Sequence, residues 1–175
     1  LLRAGLYWPG RDAIDLEGVR AEWSDGAPVA AIVFYRALVQ AANLKAVDAL
    51  VAGLIDAGVN PLPVFVSSLK EEVSAATLAE LLAAAPPAVV LNATGFAVSA
   101  PGAARRPTPF DEAGCPVLQV VFSGGNVEAW RDGMQGLSAR DIAMNVALPE
   151  VDGRILSRAV SFKGRALRDT RTETD

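Results

Sequence analysis

Val89-Val90-Leu91-Asn92-Ala93-Thr94-Gly95 is an apolar, β-branched run that stops abruptly in small polar residues. The same pattern recurs in Ile32-Val33-Phe34-Tyr35-Arg36, in Val64-Phe65-Val66-Ser67-Ser68 and in Leu118-Gln119-Val120-Val121-Phe122-Ser123-Gly124-Gly125. Runs apolar on both faces belong in a sheet covered on both sides, and open parallel sheets bind ligands just beyond the carboxyl ends of their strands. The polar endings therefore mark where a site should lie.

Between these runs the spacing is helical. Val47, Leu50, Val51, Leu54 and Ile55 share one helix face, with Asn43 as the expected N-cap and Gly58 past the end. A second helix is expected from Ser74, with Val73 and Leu78 at the staple positions and Pro86-Pro87 as its stop. Residues 99–109, rich in breakers, read as an exposed loop near the site. Short helices are expected from Asn126 to Arg131 and from Ser138 to Ala147, the latter halted near Pro149, before a last strand from Arg154 to Phe162.

Strand and helix in alternation imply right-handed crossovers. The fold class is α/β, a three-layer α/β/α domain with a mostly parallel sheet, flavodoxin-like or Rossmann-like. The four apolar runs, counted along the chain, should order as 2-1-3-4, which puts the switch point between the first and third and brings Arg36 close to Asn92 and Thr94. Residues 1–28 form a lead-in, with a short strand at Ala4 to Trp8 and a helical or irregular piece at Ile14 to Trp23. The α/β domain covers 29–163, and 164–175 is a charged tail or the start of a next domain. The ends of the chain read as cuts in something longer.

Composition narrows the function classes. The chain has 175 residues, 51% of them hydrophobic, enough for one sizeable core. A net charge of -4 argues against a nucleic-acid partner, which would need a basic face. No apolar stretch reaches the ~20 residues of a membrane span, and no signal peptide is recognisable, so the expected location is the cytoplasm. With Cys115 as the only cysteine and no histidine, neither a Ser-His-Asp system nor a Cys/His metal cage can be assembled from these residues. Cys115 reads as a small buried hydrophobe.

No G-x-x-x-x-G-K-[ST] or G-x-G-x-x-G fingerprint follows a strand, which disfavours ATP or NAD by the usual route. Ser123-Gly124-Gly125-Asn126 runs from strand into helix, where it either makes a turn or offers free N–H groups to an anion such as a carboxylate. Glu150 and Asp152 either hold a divalent cation or accept protons, or else flank an Asp152-Gly153 turn into the last strand, as Asp-Gly favours.

The segment Gly136-Leu137-Ser138-Ala139-Arg140-Asp141-Ile142-Ala143-Met144-Asn145-Val146-Ala147-Leu148-Pro149-Glu150-Val151-Asp152-Gly153-Arg154-Ile155 resembles a signature of the large subunit of aerobic cobaltochelatase, related to the large subunit of magnesium chelatase. The resemblance extends to 34–40, 60–70, 90–96 and 128–130 in the same order, and its details favour the cobalt branch. It implies a part in cobalamin synthesis, where Co2+ as substrate metal is inserted into hydrogenobyrinic acid a,c-diamide. It also implies ATP and Mg2+ on separate AAA+ motor subunits, contacts with other domains of the same subunit, and no cofactor bound to this segment.

Such a substrate is a polycarboxylate with a flat apolar face, so its site should offer hydrogen-bond donors, cations and aromatic surface. Arg36, Ser67, Ser68, Asn92, Thr94 and Ser123 are the polar candidates, and Tyr35, Phe96 and Trp130 the aromatic ones. Two other readings stand beside this one: a flavin- or ligand-sensing module, and an architectural domain whose strand ends are covered by its neighbours.

Overall fold

The computed structural model describes residues 2–134, 136–165 and 172–174. Among these residues seven strands form one sheet in the order β1-β3-β2-β4-β5-β6-β7. They are β1 (Ala4–Leu6), β2 (Val29–Tyr35), β3 (Asn60–Val66), β4 (Val89–Asn92), β5 (Val117–Asn126), β6 (Ile155–Arg165) and β7 (Thr172–Thr174). The five inner strands are parallel, and β1 and β7 close the edges antiparallel. The four apolar runs are β2, β3, β4 and β5, and they order as the sequence predicts. Most of the expected tail, 166–171 and 175, lies outside the described residues.

The centre of the sheet is buried because β2 and β3 have no polar face. Every residue of β3 is buried, and Ile32, Val33 and Phe34 of β2 are fully so; burial of each such side chain contributes roughly 2 kcal/mol. Pro61 and Pro63 in β3 cost no ladder bond to β2, because their backbone polar groups face the β1 edge, where Pro63 accepts from the Tyr7 amide (3.0 Å) and Pro61 from the Trp23 indole (2.8 Å). Trp8 and Val19, from the segment before β2, join the same core, and Asn60 pins that segment through Ser24 and Ala27.

The helices cover the faces: α1 (Leu16–Arg20), α2 (Arg36–Gln40), α3 (Lys45–Asp56), α4 (Glu72–Ala84) and α5 (Val127–Asp132), then a composite helix made of α6 (Ala139–Ile142), a π-helical turn (Ala143–Ala147) and α7 (Leu148–Glu150). Two expectations about their ends need correction. Leu44, not Asn43, occupies the N-cap of α3. Helix α4 begins two residues before Ser74, because the Glu71 carboxylate accepts from the Val73 and Ser74 amides (3.2 and 3.0 Å). The last helix runs past Ala147 and, as expected, halts near Pro149, ending at Glu150; the wider π turn carries the chain through the proline. It ends in a Schellman turn, with Gly153 at φ 77° and Gly153 and Arg154 donating back to Glu150 and Pro149. Cys115 is half-buried against the core rather than enclosed by it. No helix among the described residues is long and apolar enough to cross a membrane.

Candidate functional site

At the carboxyl ends of β2, β4 and β5 the residues Gly95 and Phe96 form a ridge between two cavities. The larger, a cleft of about 460 Å³, is bordered by Tyr35, Phe96, Phe122, Arg140, Asp141 and Lys163. The smaller, about 80 Å³, lies across the ridge and is lined by Tyr35, Ser68, Lys70, Phe96, Val98 and Arg154. Phe96 stands 47% exposed in the left-handed region at φ 62°, which is uncommon for a bulky side chain and needs support from its surroundings.

That support comes from two neighbours. The Tyr35 hydroxyl donates to the Gly95 carbonyl (2.9 Å); burial pushes this hydroxyl's pKa up, against the lowering influence of Arg154. The Phe96 amide donates to the Met144 carbonyl in the π turn (2.9 Å). In an i→i+5 register Met144 would bond the N–H of residue 149, and Pro149 has none. The carbonyl that proline leaves over is the one that holds Phe96. Gly95 fits because a Cβ there would meet Met144 O at 3.0 Å and Asn145 Oδ1 at 3.1 Å.

Beneath the ridge lies a buried polar network. Asn92 Nδ2 donates to Gln119 Oε1 (2.8 Å) and to the Thr94 carbonyl (3.0 Å), and Asn92 Oδ1 accepts from the Thr94 hydroxyl (2.9 Å). Gln119 Nε2 and Arg154 Nη1 also donate to Thr94 O, at 2.9 and 3.3 Å. Arg154, 4% exposed, pairs through Nη2 with Asp152 Oδ2 (3.0 Å), and Asp152 accepts from the Val98 and Ser99 amides (2.6 and 3.0 Å). Burial alone would raise the Asp152 pKa, but those amides and the guanidinium hold it below the usual carboxylate range. Arg154 Nε is buried with no partner among the described residues, an omission that ordinarily costs about 1–3 kcal/mol.

The structure sorts the residues proposed from sequence into different roles. Tyr35, Ser68, Phe96 and Ser123 line the two cavities. Asn92 and Thr94 are fully buried behind them and bonded to each other. Arg36 does not approach those two: Nη1 reaches the Leu2 carbonyl at 3.4 Å, and the arginine at the switch point is Arg154. Ser67 donates to the Arg3 carbonyl at the β1 edge (2.8 Å). Of the two readings of Ser123–Asn126, the anion site lacks a free Gly124 amide, since Asp141 accepts from Gly124 N (3.1 Å) and the Ser123 hydroxyl (2.7 Å).

Glu150 and Asp152 do not form a pair. Glu150 is exposed at the end of α7, whereas Asp152 points inward. Among the described residues no three His, Cys, Asp or Glu side chains converge on a metal position. Trp130 lies 43% exposed, its ring 4.8 Å from that of Phe162 and away from the ridge cavities. Arg154 and Gln119 were not anticipated. One sign of them was available: a glutamine inside an apolar strand must find partners when buried.

The site is thus a donor-lined, aromatic-ridged cleft at the carboxyl edge of a parallel sheet, the arrangement of a ligand-holding α/β domain. A sequence model of the CobN/magnesium chelatase family matches residues 2–175, and the chain belongs to that family. It is 50% identical over 187 residues to the aerobic cobaltochelatase subunit CobN of Sinorhizobium sp. To the subunit of the same name from Pseudomonas aeruginosa it is 44% identical over 176 residues. Both matches take in 100% of this chain, which spans 14% of the length of those relatives. The solved catalytic subunit of cobaltochelatase from Mycobacterium tuberculosis superposes with a TM-score of 0.77 at 26% identity, over 100% of this chain and 14% of that one.

Proposed function

We propose that this chain forms part of the tetrapyrrole-holding large subunit of an ATP-dependent cobaltochelatase, which inserts Co2+ into hydrogenobyrinic acid a,c-diamide during cobalamin biosynthesis. The observation that carries the reading is the 50% identity to a cobaltochelatase subunit across the whole chain. The geometry supports it. Phe96 offers an exposed aromatic face, and Arg140 and Lys163 offer cations for a flat polycarboxylate lying across the larger cleft. On this reading Tyr35, Ser68, Phe96 and Ser123 border the substrate, and Asn92 and Thr94 shape the floor behind them. Co2+ is substrate rather than resident metal, its ligands coming from elsewhere in the subunit. ATP and Mg2+ belong to AAA+ motor subunits, with the assembly in the cytoplasm.

The test is metal insertion by the full-length subunit combined with its motor subunits, Co2+, ATP and hydrogenobyrinic acid a,c-diamide. Formation of the cobalt corrinoid, dependent on ATP, is the expected outcome. Insertion of Mg2+ into a porphyrin instead would assign the chain to the sister branch.

A further inference from the structure

Of the two cavities beside the Phe96 ridge, the smaller has the more specific chemistry. Its polar lining is almost all donor. The Ser68 hydroxyl accepts from the Lys70 amide (3.1 Å) and keeps its own proton to give, and Lys70 is exposed at the mouth with no carboxylate paired to it among the described residues. Arg154 forms part of the wall, and its Nε–H is buried and unmatched among the described residues. Asp152 balances the Arg154 charge, so the net charge added by Lys70 is positive. Two acceptors nearby are spent: the Gly95 carbonyl holds Tyr35, and Asp152 is turned to Val98, Ser99 and Arg154. About 80 Å³ admits a water or a carboxylate arm and excludes a macrocycle.

We infer that the cavity formed by Ser68, Lys70 and Arg154 is a carboxylate subsite, which receives one acidic side arm of a flat polycarboxylate whose ring lies over Phe96. This inference rests on the tetrapyrrole reading above and adds the anchor that sets which way round the ring sits. A carboxylate suits the site because it supplies only acceptors: one oxygen to Ser68 Oγ, the other to the Lys70 ammonium, with the Arg154 guanidinium in the wall behind them.

The experiment is a titration of the full-length subunit with hydrogenobyrinic acid a,c-diamide and with its fully methyl-esterified form, followed by the pigment's visible spectrum. Lys70→Ala and Ser68→Ala are compared with the unaltered protein; both positions lie outside the buried network, so the fold does not depend on them. The acid is expected to bind about tenfold more weakly to Lys70→Ala and a few-fold more weakly to Ser68→Ala, while the ester binds all three proteins alike. Unchanged binding of the acid by both variants would leave a water-filled cavity and overturn the subsite alone. Equal losses for acid and ester would also overturn it, since the contact would then not be to a carboxylate. Failure of the unaltered subunit to bind either pigment would overturn the tetrapyrrole reading and the subsite with it.

Discussion

At the scale of single residues, Asp152 and Arg154 decide whether the loop after β4 keeps its shape. The pair is worth little as an attraction, since two charges were taken out of water to make it, but removing one member strands the other. Asp152→Asn should therefore cost about 3–5 kcal/mol locally. Hydrogen exchange at the Val98 and Ser99 amides should accelerate by at least a hundredfold, and unchanged protection would show that the carboxylate does not hold them. Acid should act in the same direction. Asp111, gripped by Arg105 and by Thr108, has its pKa lowered from 3.8 to about 2, and Asp152 is lowered as well. A depressed carboxyl contributes stability above its unfolded pKa and loses it as pH falls through its folded one. Cleavage by pepsin within 99–110 should accordingly rise between pH ~4 and pH ~2, and a flat profile would dismiss the two carboxylates as fasteners.

At the scale of elements, the composite helix from Ala139 to Glu150 is the part least like its sequence. Proline normally ends a helix, and the reading of Pro149 as a stop followed that rule. What the rule cannot see is a partner from another element: the Phe96 amide takes the Met144 carbonyl, so the π turn leaves nothing unsatisfied there. Arg154 escaped for a similar reason. One arginine at the head of an alternating strand reads as solvated, and its burial depends on Thr94, sixty positions earlier. The middle of the sheet was legible because the apolar runs carry their signal on both faces, as in β3, and right-handed crossovers order them. Gly95→Ala tests the docking of ridge on helix. The added Cβ would press on Met144 O and Asn145 Oδ1, with an expected cost of about 1–3 kcal/mol and faster exchange of the Phe96 amide; protection equal to the unaltered protein would contradict the close fit.

At the scale of the whole molecule, the sheet is finished on one side and open on the other. On the β1 side Tyr7, Trp23 and Asn60 close the edge. On the β6 side Ile155, Leu156 and Val160 are 55%, 45% and 39% exposed, and among the described residues β7 pairs with residues 163–165. An apolar edge strand of this kind invites pairing. The 175-residue chain alone should therefore self-associate in sedimentation experiments, and Val160→Lys should reduce that association; a monomer at all concentrations would show the edge to be benign.

The most direct test of the account is the binding of hydrogenobyrinic acid a,c-diamide to the full-length subunit with Phe96→Ala set against Arg36→Ala. Loss of an exposed stacking face is worth about 1 kcal/mol, so Phe96→Ala should weaken binding roughly fivefold. Arg36, which reaches back to Leu2, should leave it unchanged. Equal affinity in both variants, or a loss confined to Arg36→Ala, would move the tetrapyrrole away from the ridge and contradict the account.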